Sequence, residues 1–228
     1  MNLGLLTLVC CAGSYLFGSV PCSLLLGKLK GLDIRNIGSG NVGAMNLGRI
    51  AGRPWFFAAF ILDMLKGLVP TLFAGRLLVG PEPTRSLCWL VAGLCAVLGH
   101  NYPVFLGFRG GKGVSTSLGV ALGVYPMLTL PALLSFVVWV IGLALTRMSS
   151  VGSICGAILF PVFYVLLVWK LGAALMDRWP FLAFAFTVAA LVLVRHRANM
   201  ARIVAGTETR VVRSTAHGAT ASQPQQQR

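Results

Sequence analysis

Apolar runs recur from one end of the chain almost to the other, at 3–27, 54–78, 87–108, 114–145, 151–171 and 179–194. A helix of about 20 apolar residues crosses the roughly 30 Å of hydrocarbon in a bilayer, and in lipid every backbone polar group must be paired within the chain. Runs of this length therefore restrict the chain to a bundle of spanning helices. Nothing left between them is long enough to form a separate soluble domain. With 57% hydrophobic and only 11% charged residues, a soluble fold of 228 residues would lack the polar surface to cover itself. The expected organisation is one polytopic membrane domain over 1–206, followed by a polar, Gln-rich tail over 207–228 that is expected to be disordered. The first run has neither a basic n-region nor an A-x-A cleavage pattern, so it is expected to be retained.

Charge sets the orientation. Lys and Arg outnumber Asp and Glu by 19 to 5, and the excess sits in a few short loops and beyond the last run. Six crossings would put the basic loop 28–53 and the basic segment from Arg195 on opposite sides, against the positive-inside rule. The run 114–145 is longer than one span needs and holds Pro126 and Pro131, each of which removes a backbone donor. Divided there, it yields two short helices, with a re-entrant pair as the alternative. The fold class is then an all-α integral membrane protein of about seven transmembrane helices, N-terminus outside and C-terminus cytoplasmic. The loops 28–53, 109–116 and 147–153 and the tail share the cytoplasmic side. Anionic lipid head groups are expected partners of this charge; nucleic acid is not, since no basic soluble module presents it.

Cys10, Cys11, Cys22, Cys88, Cys95 and Cys155 all lie in apolar segments without metal-ligand spacing, and are read as packing residues. No metal or cofactor is expected.

Chemistry concentrates in four patches on the basic side. The first loop contains Gly38-Ser39-Gly40-Asn41-Val42-Gly43-Ala44-Met45-Asn46 and then Arg49. Its glycines let the backbone turn tightly and present N–H groups, Ser39, Asn41 and Asn46 add side-chain donors, and Arg35 and Arg49 supply charge. The second contains Gly99-His100, then Arg109-Gly110-Gly111-Lys112-Gly113, with hydroxyls at Ser115 and Thr116 opening a helix whose N-terminus favours an anion. It is not a Walker A loop, because the G-x-x-x-x-G-K-[ST] spacing fails and Gly113 stands where a metal-binding hydroxyl belongs. Phosphate binding without nucleotide or Mg²⁺ is the expectation. Ser149, Ser150 and Ser153 open the helix after Arg147, as caps or anion donors. Arg195-His196-Arg197-Ala198-Asn199 ends the last run, with His196 and Asn199 three apart on one helical face. Within the second apolar run, Asp63 and Lys66 are spaced to neutralise each other as a structural ion pair.

Taken together, Gly18-Ser19-Val20-Pro21, the GSGN-x-GA-x-N segment, GH-x-x-P followed by FRGGKG, and HRAN resemble the bacterial acyl-phosphate:glycerol-3-phosphate acyltransferase family, the membrane-embedded PlsY type. The resemblance runs from about Leu3 to Glu208. It implies transfer of a fatty acyl group from acyl phosphate to the primary hydroxyl of glycerol 3-phosphate, giving lysophosphatidic acid and phosphate, at the bacterial inner membrane in phospholipid synthesis. It implies acyl phosphate and glycerol 3-phosphate as substrates, with the enzyme that makes acyl phosphate as a candidate partner. The other major class of glycerophosphate acyltransferases uses His-x-x-x-x-Asp, and none of His100, His196 and His217 has an Asp five positions on.

Carried over by position, the resemblance implies substrate contact at Ser39, Arg49, Lys112, Ser150, His196 and Asn199, and all of these but Arg49 are expected to be catalytic. Substrate and phosphate binding are expected at Gly38, Gly40, Asn41, Asn46, Arg49, Arg109, Gly110, Gly111, Gly113 and Ser153. Met45 stands where the family usually has Thr, so any hydroxyl contact at that position is expected to be lost or replaced. For the proton of the attacking hydroxyl, a substrate phosphate oxygen is the preferred acceptor, because no His–carboxylate pair is visible in the sequence; His100 and His196 are the alternatives. A transporter of a phosphorylated solute is the competing reading, and the internal duplication that would favour it is not visible.

Overall fold

The computed structural model describes residues 2–172 and 174–211. It is all-helical: α1 (Leu3–Gly18), α2 (Cys22–Leu29), α3 (Ala44–Ala51), α4 (Arg53–Leu77), α5 (Thr84–Asn101), α6 (Val114–Gly123), α7 (Thr129–Thr146), α8 (Ser149–Lys170), α9 (Trp179–Arg195) and α10 (Arg197–Val204). Two short 3₁₀ turns, Val104–Leu106 and Leu175–Arg178, lie between them. Among the described residues six segments are long and apolar enough to cross a membrane: Leu3–Leu29, Arg53–Leu77, Thr84–Leu106, Thr129–Thr146, Ser149–Lys170 and Leu175–Arg195. A shorter apolar helix, Val114–Gly123, joins them. Outward residues such as Leu8, Phe57, Val137, Leu166 and Phe186 stay exposed, as a lipid-facing surface requires.

Three local features differ from the run-by-run reading. The first run is interrupted: α1 ends at Gly18 and α2 begins after Pro21, whose missing N–H cannot continue the ladder. The fourth run divides as expected, but at 124–128. Pro131 sits in the first turn of α7, where its lost donor would have had no intrahelical partner anyway. The loop 28–53 is not all loop, because α3 forms inside it. That helix buries Ala44, Asn46 and Leu47 and is closed by Gly52 at φ 98°, a left-handed backbone that favours glycine.

The helices meet at glycines. A Cβ on Gly67 of α4 would overlap the Thr116 carbonyl of α6, and one on Gly119 would overlap the Met64 carbonyl. The same exclusion holds between Gly18 of α1 and Ala96 of α5. Small residues of this kind let membrane helices approach backbone to backbone, where dispersion replaces the hydrophobic drive that lipid removes. Inside this packing lies the Asp63–Lys66 ion pair, 3.0 Å apart and almost wholly buried. Ser23 Oγ donates to Asp63 at 3.2 Å, and Lys66 Nζ donates to the Val20 carbonyl in the α1–α2 break at 2.9 Å. The pair thereby ties α4 to the interruption in the first span.

The two ends of the bundle are distinct. Loop 30–52, the segment 102–113, the α7–α8 turn and the chain after α9 share one end, here the motif end, because they line a common cavity. At the other end, Leu3 packs within 3.2 Å of where a Cβ on Gly80 would stand, and Arg178 Nη1 reaches Met127 Sδ at 3.4 Å. The bend after α6 therefore sits beside the α8–α9 connection, away from the motif end. After α10 the chain turns at Gly206 (φ 71°), and Val211 N donates to the Arg147 carbonyl at 2.7 Å. Residues 207–211, the first part of the expected tail, thus pack on the membrane domain; 212–228 lie outside the described residues.

Candidate functional site

The cavity at the motif end has a volume of about 540 Å³ and is lined from five directions: the Gly-rich loop and α3, the loop ahead of α6, the start of α8, the α9–α10 junction and the segment after α10. Of the residues expected to carry chemistry, Ser39, Asn41, Asn46, Arg49, Lys112, Gly113, Ser150, Ser153, His196 and Asn199 line it. Met45 lines it too, so the site has a thioether where a hydroxyl was expected.

Gly38, Gly40, Arg109, Gly110 and Gly111 do not line it, and the hydrogen bonds supply a reason for two of them. Gly110 N and Gly111 N donate to the carbonyls of Asn101 and His100 at 3.2 and 3.1 Å, so these N–H groups are not available to a phosphate. Their own carbonyls accept from the Arg195 guanidinium at 2.7–3.0 Å. The two glycines shape the loop instead. A Cβ on Gly111 would overlap the His100 ring, and only glycine allows the loop to close over it. Gly38 and Gly40 both have φ 66° and turn the first loop. Arg109 is exposed, outside the cavity. Arg35 faces away and pairs with Asp33 at 2.6 Å, where its hydrogen bonds hold that carboxyl at about 2.

Asn46 is an organiser rather than a free donor. Its Nδ2 donates to the carbonyls of Ile34 and Ile37, and its Oδ1 accepts from Ser39 N at 2.9 Å. The interaction engages the N–H of Ser39, a residue that lines the cavity.

Lys112 is the centre of the charge. Its Nζ donates to Asn199 Oδ1 at 2.6 Å, and Arg49, Arg195 and Arg202 surround it. Burial first, with these three guanidinium groups adding to it and Glu208 opposing, pulls its pKa down to about 8. Burial likewise lowers Arg49, whose Nε is buried without a partner among the described residues and whose Nη2 donates to the Thr209 carbonyl at 3.4 Å. His196 approaches the Val192 carbonyl through Nδ1 at 2.8 Å. A carbonyl only accepts, so Nδ1 carries the proton and Nε2 is left as an acceptor. Burial, then Lys112, pulls the His196 pKa down to about 4, so the ring is neutral at physiological pH.

Glu208 is the residue that sequence reasoning missed. It is buried, and its Oε1 accepts from Ser150 Oγ at 2.7 Å and Asn199 Nδ2 at 2.6 Å, while Arg202 Nε donates to Oε2 at 2.8 Å. Burial alone would raise the carboxyl, but these hydrogen bonds outweigh it and hold the group below its usual value. The available signal was an isolated carboxylate in a strongly basic stretch, nine residues after Asn199.

Two further findings bear on chemistry. The absence of a His–carboxylate pair in the sequence does not hold in space: His100 Nδ1 lies 3.8 Å from Asp63 Oδ1, and both line the deep part of the cavity. That separation is too long for a hydrogen bond, and Lys66 already neutralises Asp63. A second, smaller cavity of about 80 Å³ lies among α6, α7, α8 and α9, walled by Leu118, Phe136, Phe160 and Val192. It shares Phe60, Val114, Trp139 and Ser153 with the polar cavity, so the two are contiguous. Among the described residues no group of three or more His, Cys, Asp or Glu is placed to hold a metal ion.

Comparison with known proteins identifies the family of the chain. A family model described as "Glycerol-3-phosphate acyltransferase" matches residues 8–206. The glycerol-3-phosphate acyltransferase of Geobacter sulfurreducens is 45% identical over 205 residues, covering 89% of this chain and 96% of the relative; that of Aquifex aeolicus is 40% identical, covering 86% and 95%. The crystal structure of PlsY, an integral membrane glycerol 3-phosphate acyltransferase, in its glycerol 3-phosphate form superposes with a TM-score of 0.77 at 39% identity over 90% of this chain and 96% of that one. Its lysophosphatidic acid form gives 0.75 at 38% over 90% and 94%.

Proposed function

This chain belongs to the PlsY-type glycerol-3-phosphate acyltransferase family, and from that premise we propose that the cavity at the motif end is its acyl-transfer site. The enzyme is a multi-pass protein of the inner membrane that transfers a fatty acyl group from acyl phosphate to the primary hydroxyl of glycerol 3-phosphate, giving lysophosphatidic acid and phosphate. The observation that carries the site assignment is the contiguity of a basic, polar cavity with an apolar one through Phe60, Val114, Trp139 and Ser153. A fatty acyl phosphate has both characters, and glycerol 3-phosphate only the first.

Both substrates bring phosphate, and phosphate is a good leaving group from the mixed anhydride. Positioning and charge stabilisation can therefore supply most of the catalysis. Lys112 and Arg49 hold phosphate oxygens, and the Ser39 hydroxyl donates to substrate. The acceptor hydroxyl attacks the acyl carbon, a new ester C–O bond forms, and the bond from that carbon to the phosphate oxygen breaks. The hydroxyl proton goes to a substrate phosphate oxygen. Neutral His196, with Nε2 free to accept, orients the hydroxyl; the buried, unaligned His100–Asp63 pair stays out of the proton path. The acyl tail lies along Phe136, Trp139 and Phe160.

This reading predicts a pH limb. The Lys112 cation binds phosphate, and its pKa in the free enzyme is about 8, so kcat/KM for glycerol 3-phosphate is expected to fall as pH rises through that value. The limb in kcat lies at higher pH, because a bound dianion stabilises the cation. A pH–rate profile checks this, and a kcat/KM that stays flat well above pH 8 contradicts it.

The orientation we propose has seven passes, with α6 and the bend at 124–128 as the short one, the N-terminus outside and the motif end in the cytoplasm. The basic loops of that end support it, as does the position of the α6–α7 bend beside Arg178. With native cysteines replaced, single cysteines at the exposed positions Leu29 and Val204 are expected to be protected from an impermeant thiol reagent in intact cells and to label in inverted membranes. A cysteine at exposed Val79 is expected to behave oppositely, and labelling of Val204 from outside would reverse the orientation.

A further inference from the structure

We infer that Glu208 is a positioning residue for acyl transfer: from the segment after α10, its carboxylate sets the orientation of the Asn199 amide and the Ser150 hydroxyl, and through Asn199 the place of the Lys112 ammonium. The inference rests on the assignment of the polar cavity as the acyl-transfer site.

The hydrogen-bond grammar of the cluster leaves little freedom. Lys112 can only donate, and it meets Asn199 Oδ1 at 2.6 Å; an ionised Glu208 can only accept, and it meets Asn199 Nδ2 at 2.6 Å. Both demands select the same amide orientation. A flip would set donor against donor at Lys112 and acceptor against acceptor at Glu208. Ser150, also buried, donates to the same Oε1, and Arg202 takes Oε2. Each oxygen of Glu208 is therefore required as an acceptor. The segment is held in register by Gly206, by Thr207 N on the Arg202 carbonyl at 2.8 Å and by Val211 N on the Arg147 carbonyl.

Charge acts in the same direction. Lys112 is faced by Arg49 from α3, by Arg195, His196 and Arg197 at the α9–α10 junction, and by Arg202 from α10; the deep wall adds His100 and the Asp63–Lys66 pair. Of the two carboxylates that line the cavity among the described residues, Asp63 is neutralised by Lys66, which leaves Glu208 to offset the basic cluster before substrate arrives.

The test is Glu208→Gln. A glutamine amide presents one acceptor and one donor, so either orientation opposes a donor to Arg202 or to Ser150 and Asn199. The expected result is a fall in kcat of at least about tenfold with the protein still folded, since a hydrogen bond to a charged group is lost. The alkaline limb of kcat/KM is also expected to move to lower pH, because Lys112 loses a favourable charge. Glu208→Asp keeps two acceptors and the charge, and is expected to retain more activity than the glutamine variant even if both are less stable. In an Asn199→Ala background, Glu208→Gln is expected to add much less than it costs alone, the mark of action through Asn199. Unchanged kcat and pH limb in Glu208→Gln, full additivity with Asn199→Ala, or an aspartate variant worse than the glutamine one would each overturn the role. If the unsubstituted protein itself transfers no acyl group, the site assignment fails instead.

Discussion

Replacing Lys112 by alanine is expected to lower acyl transfer by at least about two orders of magnitude, since a charge-assisted contact to phosphate in a partly desolvated site is worth about 3 kcal/mol when its partner is left unpaired. Its ammonium is the point on which the cluster converges: Asn199 holds it directly, Glu208 acts through Asn199, and Arg49 approaches from α3. Lys112→Arg is expected to recover little. The loop has no slack around the side chain, because Gly111 closes over the His100 ring and Gly113 sits at φ 76° against Asn101. A broad guanidinium cannot replace a compact ammonium there. Steady-state kinetics with both substrates, at matched levels of folded protein, check this; near-normal turnover in the alanine variant would remove Lys112 from the site.

Lys66→Met is expected to destabilise the fold by about 3–5 kcal/mol, the usual cost of stranding one charge of a buried pair, and within a membrane this is enough to abolish recovery of folded enzyme. Asp63 and Lys66 are 3.0 Å apart and nearly solvent-free, so the stranded Asp63 carboxylate would keep only Ser23 and a distant His100. The Val20 carbonyl in the α1–α2 break would lose its donor as well. The double variant Asp63→Asn with Lys66→Met is expected to regain most of the loss, because no charge is left unpaired. Thermal unfolding in detergent of the single and double variants measures both effects. An unchanged midpoint in Lys66→Met would show that the pair contributes nothing to the fold.

What the sequence made legible follows from physics that acts locally or through the bilayer. Apolar length marked the spans, Pro126 marked the region where the fourth run divides, and Gly-rich patches marked loops that the structure brings to one cavity. What it hid depends on partners far away in the chain. Lys112 meets Asn199 87 residues on, and Ser150 meets Glu208 58 residues on, and no periodicity predicts either contact. The hydrogen-bond partners of Asn46, Gly110 and Gly111 were hidden for the same reason. An amide or N–H looks available in sequence, and only the fold shows that Ile34, Asn101 and His100 already engage it. The helix α3 was missed because eight residues between glycines are too few to hold a helix on their own, and it is stabilised by packing Leu47 and Ala44 inward. Glu208 was assigned to a polar tail on composition, although its carboxylate is the natural counter-charge for the basic residues around it.

The protein joins an acyl phosphate to glycerol 3-phosphate directly, with no other acyl carrier between them. Purified protein in detergent or reconstituted in lipid, supplied with synthetic palmitoyl phosphate, is expected to release inorganic phosphate in step with lysophosphatidic acid when glycerol 3-phosphate is present. Acyl-CoA in place of the acyl phosphate is expected to support no transfer. Failure to form lysophosphatidic acid from acyl phosphate in every detergent and lipid tried, by protein shown to be folded, would contradict the account.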